Sequence, residues 1–141
     1  MVVLDANVLV YAVNESLPHH ARARRWLEAA LNGDESVGFA WTALLAFIRI
    51  ATLPALSPQP LDVAQAFDLT DEWLGAPAAV MVHPTARHGA LLRGLLLEAG
   101  TAGNLVGDAH LAALAVEHGA RVCSFDRDFG RFPGVSVVIP T

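Results

Sequence analysis

The chain has 141 residues, enough for one domain spanning 1–141 with a sizeable apolar core, and 54% of its residues are hydrophobic. Its formal net charge of −5 excludes a simple basic nucleic-acid binder. No run reaches the ~18 uninterrupted apolar residues of a membrane span, and the opening Met1-Val2-Val3-Leu4-Asp5 lacks the basic region and long apolar stretch of a secretory leader, so a cytoplasmic protein with no membrane partner is expected.

Val2-Val3-Leu4 reads as a short buried strand ending at Asp5, and Ala6 to Val13 as a helix with Asn7 in its first turn. Pro18 to Asn32 predicts a helix stopped by Asn32-Gly33, with Trp26, Leu27, Ala30 and Leu31 as its buried stripe and the arginines on its wet side. Ser36 to Ala40 reads as a second strand. Trp41 to Leu53 is apolar on all sides except Thr42, Arg49 and Thr52, which as a helix predicts almost complete burial. Pro54 to Pro60 is a loop, Leu61 to Gly75 a helix, Ala78 to Val82 a third strand, and Thr85 to Ala99 a helix closed by Gly100. Asn104 to His118 predicts another helix, with Gly119 in the C-terminal capping position. Arg121 to Phe125 reads as a strand ending at Asp126, and Val135 to Ile139 as an edge strand, because Pro140 cannot sit inside a sheet. Strands alternating with helices predict an α/β fold of three layers, α/β/α, around a central mostly parallel sheet.

Open parallel sheets take ligands beyond the carboxyl ends of their strands. Asp5 and Asp126 each follow a predicted strand and would share one crevice if those strands are neighbours, although either alone is more often a helix cap or turn residue. Asp108 shares a helical face with Leu105, Leu111, Ala112 and Ala115, while His110 and Glu117 lie opposite. A carboxylate on a buried stripe is costly unless a charge meets it. Arg49 or another arginine would serve, and so would a divalent cation shared with Asp5 and Asp126. An all-oxygen ligand set suits Mg²⁺ or Mn²⁺ rather than zinc. Asp128 either joins this cluster or simply forms the turn.

Other residues carry weaker expectations. Cys123, the only cysteine, lies in an apolar run and is expected to be a buried structural thiol. His19-His20 is expected on the solvated surface. Arg22, Arg24 and Arg25 form a wet helix face or a basic patch for an RNA backbone, and Arg49 is expected to pair with a carboxylate near the acids. Trp41 and Phe47 are expected in the core or a dimer contact. All nine basic residues are arginine, the better side chain for bidentate phosphate contacts.

Val-Leu-Asp-Ala-Asn-Val-Leu-Val (3–10), Asn-Leu-Val-Gly-Asp-Ala-His-Leu-Ala-Ala-Leu-Ala (104–115) and Ser-Phe-Asp-Arg-Asp-Phe-Gly-Arg-Phe (124–132) resemble, in order and spacing, the acidic motifs of PIN domains, and more narrowly of VapC-type toxins. The resemblance implies a Mg²⁺- or Mn²⁺-dependent endoribonuclease that homodimerises and is silenced by a VapB-like antitoxin. Asp5, Asp108 and Asp126 match the family's metal-binding acids; Asn7, Asn104 and Ser124 match supporting positions, with Asn104 equally readable as a helix N-cap. One departure stands out. Where the family usually carries a Glu before the position of Arg49, this chain reads Ala43-Leu44-Leu45-Ala46-Phe47-Ile48, with no acid.

Haloacid-dehalogenase phosphatases, receiver domains and P-loop proteins all use an essential Lys, and this chain has none. The competing expectation is a PIN fold that has lost catalysis and binds RNA or protein. An antitoxin is expected to lay a helix over the apolar surface near 41–53, with an Arg by the acids.

Overall fold

The computed structural model describes residues 1–141. Five short strands, β1 (Val2–Leu4), β2 (Val37–Phe39), β3 (Ala79–Met81), β4 (Arg121–Cys123) and β5 (Val137–Val138), form one sheet in the order β3-β2-β1-β4-β5. Every pairing is parallel. β1 is central, and its unbroken apolar run is buried on both faces, with Val2, Val3 and Leu4 at 2% exposure or less.

The strand pleat sends alternate residues to opposite faces, and two cores result. Val2 and Leu4 pack with Val37 and Phe39 under helices α1 (Ala6–Val13), α2 (His20–Leu31), α3 (Trp41–Thr52) and α4 (Val63–Leu74). Val3 and Val122 pack on the other side against α5 (His88–Ala99) and α6 (Val106–Glu117). α6 contributes an unbroken buried run from Leu111 to Ala115. This is the expected three-layer α/β/α arrangement, with the sheet wholly rather than mostly parallel.

Local chemistry fixes several ends. α4 starts with a capping box in which Asp62 accepts from the Gln65 backbone and the Gln65 side chain accepts from the Asp62 backbone. α6 ends at Gly119, whose φ of 63° lies in the left-handed region expected for a residue just past a helix. Its start differs from expectation. Gly103–Leu105 forms a 3₁₀ turn, so Asn104 sits exposed inside that turn and is not an α-helix N-cap.

α3 also differs. Trp41 is 45% exposed, Leu45 60%, and Arg49 is exposed without an ion pair. The sheet, α1 and α4 cover one side of this helix, and the residues at four-residue steps from 41 to 49 form the uncovered stripe. Phe47, by contrast, is fully buried against Trp73. Trp26 of the predicted α2 stripe is only half-buried; Leu27 and Leu31 carry that contact, with Ala23.

Candidate active site

The strand order reverses at the centre of the sheet: β2 and β3 lie on one side of β1, β4 and β5 on the other. The crevice beyond the carboxyl ends of β1 and β4 is therefore the topological switch point. Asp5 leaves β1 there, and its backbone N–H donates to the Cys123 carbonyl at 2.9 Å. Asp5 occupies the N-cap position of α1, yet its side chain makes no capping hydrogen bond. Its Oδ2 instead accepts from the Ser124 hydroxyl at 2.7 Å.

Ser124 is fully buried and acts as a junction. Its Oγ accepts from Asn7 Nδ2 at 3.0 Å and from the Asp126 backbone N–H at 2.9 Å while donating to Asp5. Asn7 Oδ1 in turn accepts from the Phe125 N–H at 3.2 Å. A small hydroxyl with one donor and two acceptor sites is here used to capacity. It ties the end of β1 to the end of β4, so Asn7 and Ser124 fix the position of Asp5 and of the Asp126 backbone.

Asp126 Oδ1 accepts from the Asp128 N–H at 2.8 Å and caps the 3₁₀ turn Arg127–Arg131. That is the turn role weighed for it from sequence, and it occupies one of two carboxylate oxygens. Asp128 points to solvent, 73% exposed, and pairs with Arg131 at 3.4 Å. Asp108, in the first turn of α6, shares with Asp5 a cleft of about 150 Å³ whose α3 wall is Thr42, Ala43 and Ala46. The acid missing from residues 43–48 thus leaves an uncharged wall facing Asp5 and Asp108.

The three acids feel one another. Burial raises the Asp5 pKa above the usual aspartate value; the charges of Asp108 and Asp126 push it further up, against the Ser124 hydrogen bond. Burial also raises Asp108, followed by the charge of Asp126, while Arg131 pulls the other way. Asp5, Asp108 and Asp126 are thus brought to one end of the sheet, with Asn104 exposed in the turn leading to α6. They do not close into a ready cage, for no three His, Cys, Asp or Glu side chains stand close enough to hold a metal. Larger clefts lie elsewhere, including a groove of about 510 Å³ lined by Leu27, Leu31 and Trp73. The small acid cleft suits an ion and a phosphate rather than an enclosed organic ligand.

Two features escaped sequence reasoning. Glu117 was placed on the outer face of its helix, but its side chain is completely covered. It accepts from the Thr85 N–H at 2.5 Å and pairs with His88, whose Nε2 meets His110 Nδ1 at 2.8 Å. The seven-residue spacing of His110 and Glu117 was the available signal. His19 and His20 are not solvated surface either: His20 Nδ1 bonds the Tyr11 carbonyl, and His19 stacks on Phe125. Cys123 is fully buried as expected, and burial pushes its thiol pKa up to about 12.

The PIN-domain family pattern matches residues 2–135. The chain is 55% identical over 135 residues to ribonuclease VapC37 of Mycobacterium tuberculosis, covering 96% of this chain and 94% of that protein. It is 39% identical over 132 residues to ribonuclease VapC33 of the same species, covering 94% and 92%. Among solved structures, VapBC2 from Rickettsia felis bound to a promoter DNA fragment matches with a TM-score of 0.72 at 19% identity, over 99% of this chain and 98% of that one. The sarcin–ricin-loop-cleaving toxin VapC20 of M. tuberculosis matches with 0.69 at 16% identity, over 96% and 99%. Fold and sequence kinship agree, and the chain belongs to the PIN-domain family.

Proposed function

We propose that the chain is a divalent-metal-dependent endoribonuclease and the toxin of a VapBC-type toxin–antitoxin pair. Kinship to ribonucleases named VapC supports the nuclease class. The single observation that carries the chemistry is the strand-end cluster, in which Asp5 is half-buried, oriented by Ser124, and opposed by the charges of Asp108 and Asp126. Mutual repulsion of this kind is relieved by a hard cation, and the all-oxygen donor set fits Mg²⁺ or Mn²⁺.

Asp5, Asp108 and Asp126 would hold the metal. When bound, it supplies positive charge to the phosphate oxygens and a more acidic water. Ser124, itself held by Asn7, orients the Asp5 carboxylate that lines the cleft. Hydrolysis joins a water oxygen to phosphorus, breaks the bond to the leaving nucleotide oxygen, and returns a proton to that oxygen. The uncharged wall at Thr42, Ala43 and Ala46 favours reliance on the substrate phosphate to complete the metal's ligands. The same wall is what favours the alternative reading, a PIN fold binding RNA without cutting it.

Several structural neighbours are described as toxin–antitoxin assemblies, some on DNA. For this chain, the exposed stripe at Trp41 and Leu45 supports an antitoxin helix as its cover. Expression of the wild type and of Asp108→Asn in cells, with mapping of RNA 5′ ends, tests the enzyme. New ends in the wild type that vanish in the variant support the nuclease; equal 5′-end maps leave only the non-cutting alternative.

A further inference from the structure

One residue beyond the acid junction, Phe125 lies between Ser124 and Asp126 and carries a stack of three side chains from elsewhere. The His19 ring lies on it at 4.6 Å with planes 10° apart, and Tyr11 meets it edge-on at 5.1 Å. The Arg22 guanidinium sits over the same ring at 5.4 Å and donates to His19 Nδ1 at 2.7 Å. With Nδ1 accepting, the imidazole tautomer that fits carries its proton on Nε2. Arg22 is exposed and makes no ion pair, whereas Arg24, Arg121 and Arg131 are each committed to a carboxylate. An aromatic face and an imidazole fix this cation without neutralising it. The ring that holds it belongs to the residue between Ser124 and Asp126, just past the carboxyl end of β4.

We propose that Arg22, positioned by His19 and Phe125, grips an RNA phosphodiester next to the one held at the acids. The inference rests on the nuclease reading only for what the substrate is. The acids attract metal but repel the RNA chain, so an acidic protein needs a fixed cation flanking them to hold the strand in register. A guanidinium already immobilised loses little freedom on binding, and its remaining N–H groups match two phosphate oxygens. The stack has a second consequence. The Phe125 N–H donates to Asn7 Oδ1, so the residue that seats Arg22 is itself held by the network around Ser124.

The test uses the full chain and a fluorescein-labelled single-stranded RNA 20-mer of mixed sequence. Binding is measured by anisotropy in the Asp5→Asn background, with and without Arg22→Gln, and cleavage kinetics are measured in the wild-type background. Arg93→Gln, at an exposed α5 arginine without an ion pair, is the control. Arg22→Gln is expected to weaken RNA binding about 10-fold and to lower the slope of log affinity against log salt by about 0.7, the contribution of one phosphate on a single strand. In the cleaving protein it raises KM about 10-fold with kcat within about two-fold, while the gain in melting temperature on adding Mn²⁺ alone is unchanged. Equal affinity and salt slope in the two proteins overturn the proposal, as does a matching loss in Arg93→Gln. If RNA is bound through Arg22 but never cut, the nuclease reading fails and the phosphate grip stands. If it is cut with Arg22→Gln indistinguishable from wild type, the reverse holds.

Discussion

Replacing Glu117 with Ala is the severest single test of the α5–α6 contact. The carboxylate has no exposed surface, and its two oxygens serve the Thr85 N–H and the His88 ring. Truncation leaves both groups facing a closed space, and His88 is itself only 9% exposed. Hydrogen bonds to a charged group contribute about 1.5–3 kcal/mol each, and removing one partner of a buried pair costs about 3–5 kcal/mol, so a loss of about 3 kcal/mol is expected. For 141 residues the unfolding entropy is about 0.3 kcal/mol per kelvin, which converts that loss to a drop of about 10 °C in melting temperature. Glu117→Gln keeps an acceptor for Thr85 and should lose about half as much. Calorimetry or near-UV circular dichroism reads the midpoint. A Glu117→Ala midpoint within about 2 °C of wild type would refute the argument, since it would mean water reaches that carboxylate.

The same cluster sets an acid limit. Burial, then the charge of His88, holds the His110 pKa below the usual histidine value, so its neutral form is favoured in the fold. Stability is therefore lost as pH falls from about 6.5 toward the lower folded pKa, and His110→Gln should flatten that part of the melting-temperature profile. Burial pulls Glu117 up, but the Thr85 N–H and His88 outweigh it and hold its pKa down, so its contribution persists to lower pH and is lost only below about 4.5. Asp5 has the opposite sign: its pKa is raised in the fold, so its charge costs stability as pH rises through that value. Asp5→Asn should raise the melting temperature of the metal-free protein by about 2–5 °C while abolishing RNA cleavage; a lower midpoint would contradict the mutual repulsion. Gly38 lies where a methyl would stand 3.1 Å from Val82 Cγ1 and 3.2 Å from Val3 Cγ2, so Gly38→Ala should cost about 1–3 kcal/mol by denaturant titration.

The parts of the fold legible in the sequence are those whose signal is local. Val2-Val3-Leu4 reads as a strand because a strand buried on both faces needs an unbroken apolar run, and Asp5 marks the place where burial stops. The placement of the three acids has a local signal too: Asp5 directly follows β1, Asp108 lies in the first turn of α6, and Asp126 comes three residues past β4, nearer the 3₁₀ turn than the predicted strand end. What failed depended on partners from distant elements. An apolar α3 looks the same in sequence whether its outer stripe is covered by the fold or kept for another molecule, so the near-complete burial expected of this helix fails at Trp41 and Leu45, where the expected antitoxin surface lies exposed. Glu117 reads as a surface charge until Thr85 and His88, thirty or so residues earlier, are brought over it. His19 reads as solvated until Phe125 arrives from the far end of the chain.

The two carboxylate clusters explain each other. The Glu117 side chain is covered, yet its pKa is lowered, because a backbone N–H and a histidine meet it. Asp5 is partly open, and even with the Ser124 hydroxyl upon it its pKa is raised, since burial and two like charges prevail. The chain can therefore satisfy a covered acid, and does so where only structure is at stake. At the switch point of the sheet it leaves the repulsion standing, with the Arg131 charge alone drawing the Asp108 pKa down. A cation entering there gains the energy that folding left unrelieved, which is why metal should stabilise the wild type more than Asp5→Asn or Asp108→Asn. An equal rise in melting temperature for all three proteins on adding Mn²⁺ would place the ion elsewhere and detach the acids from the chemistry assigned to them.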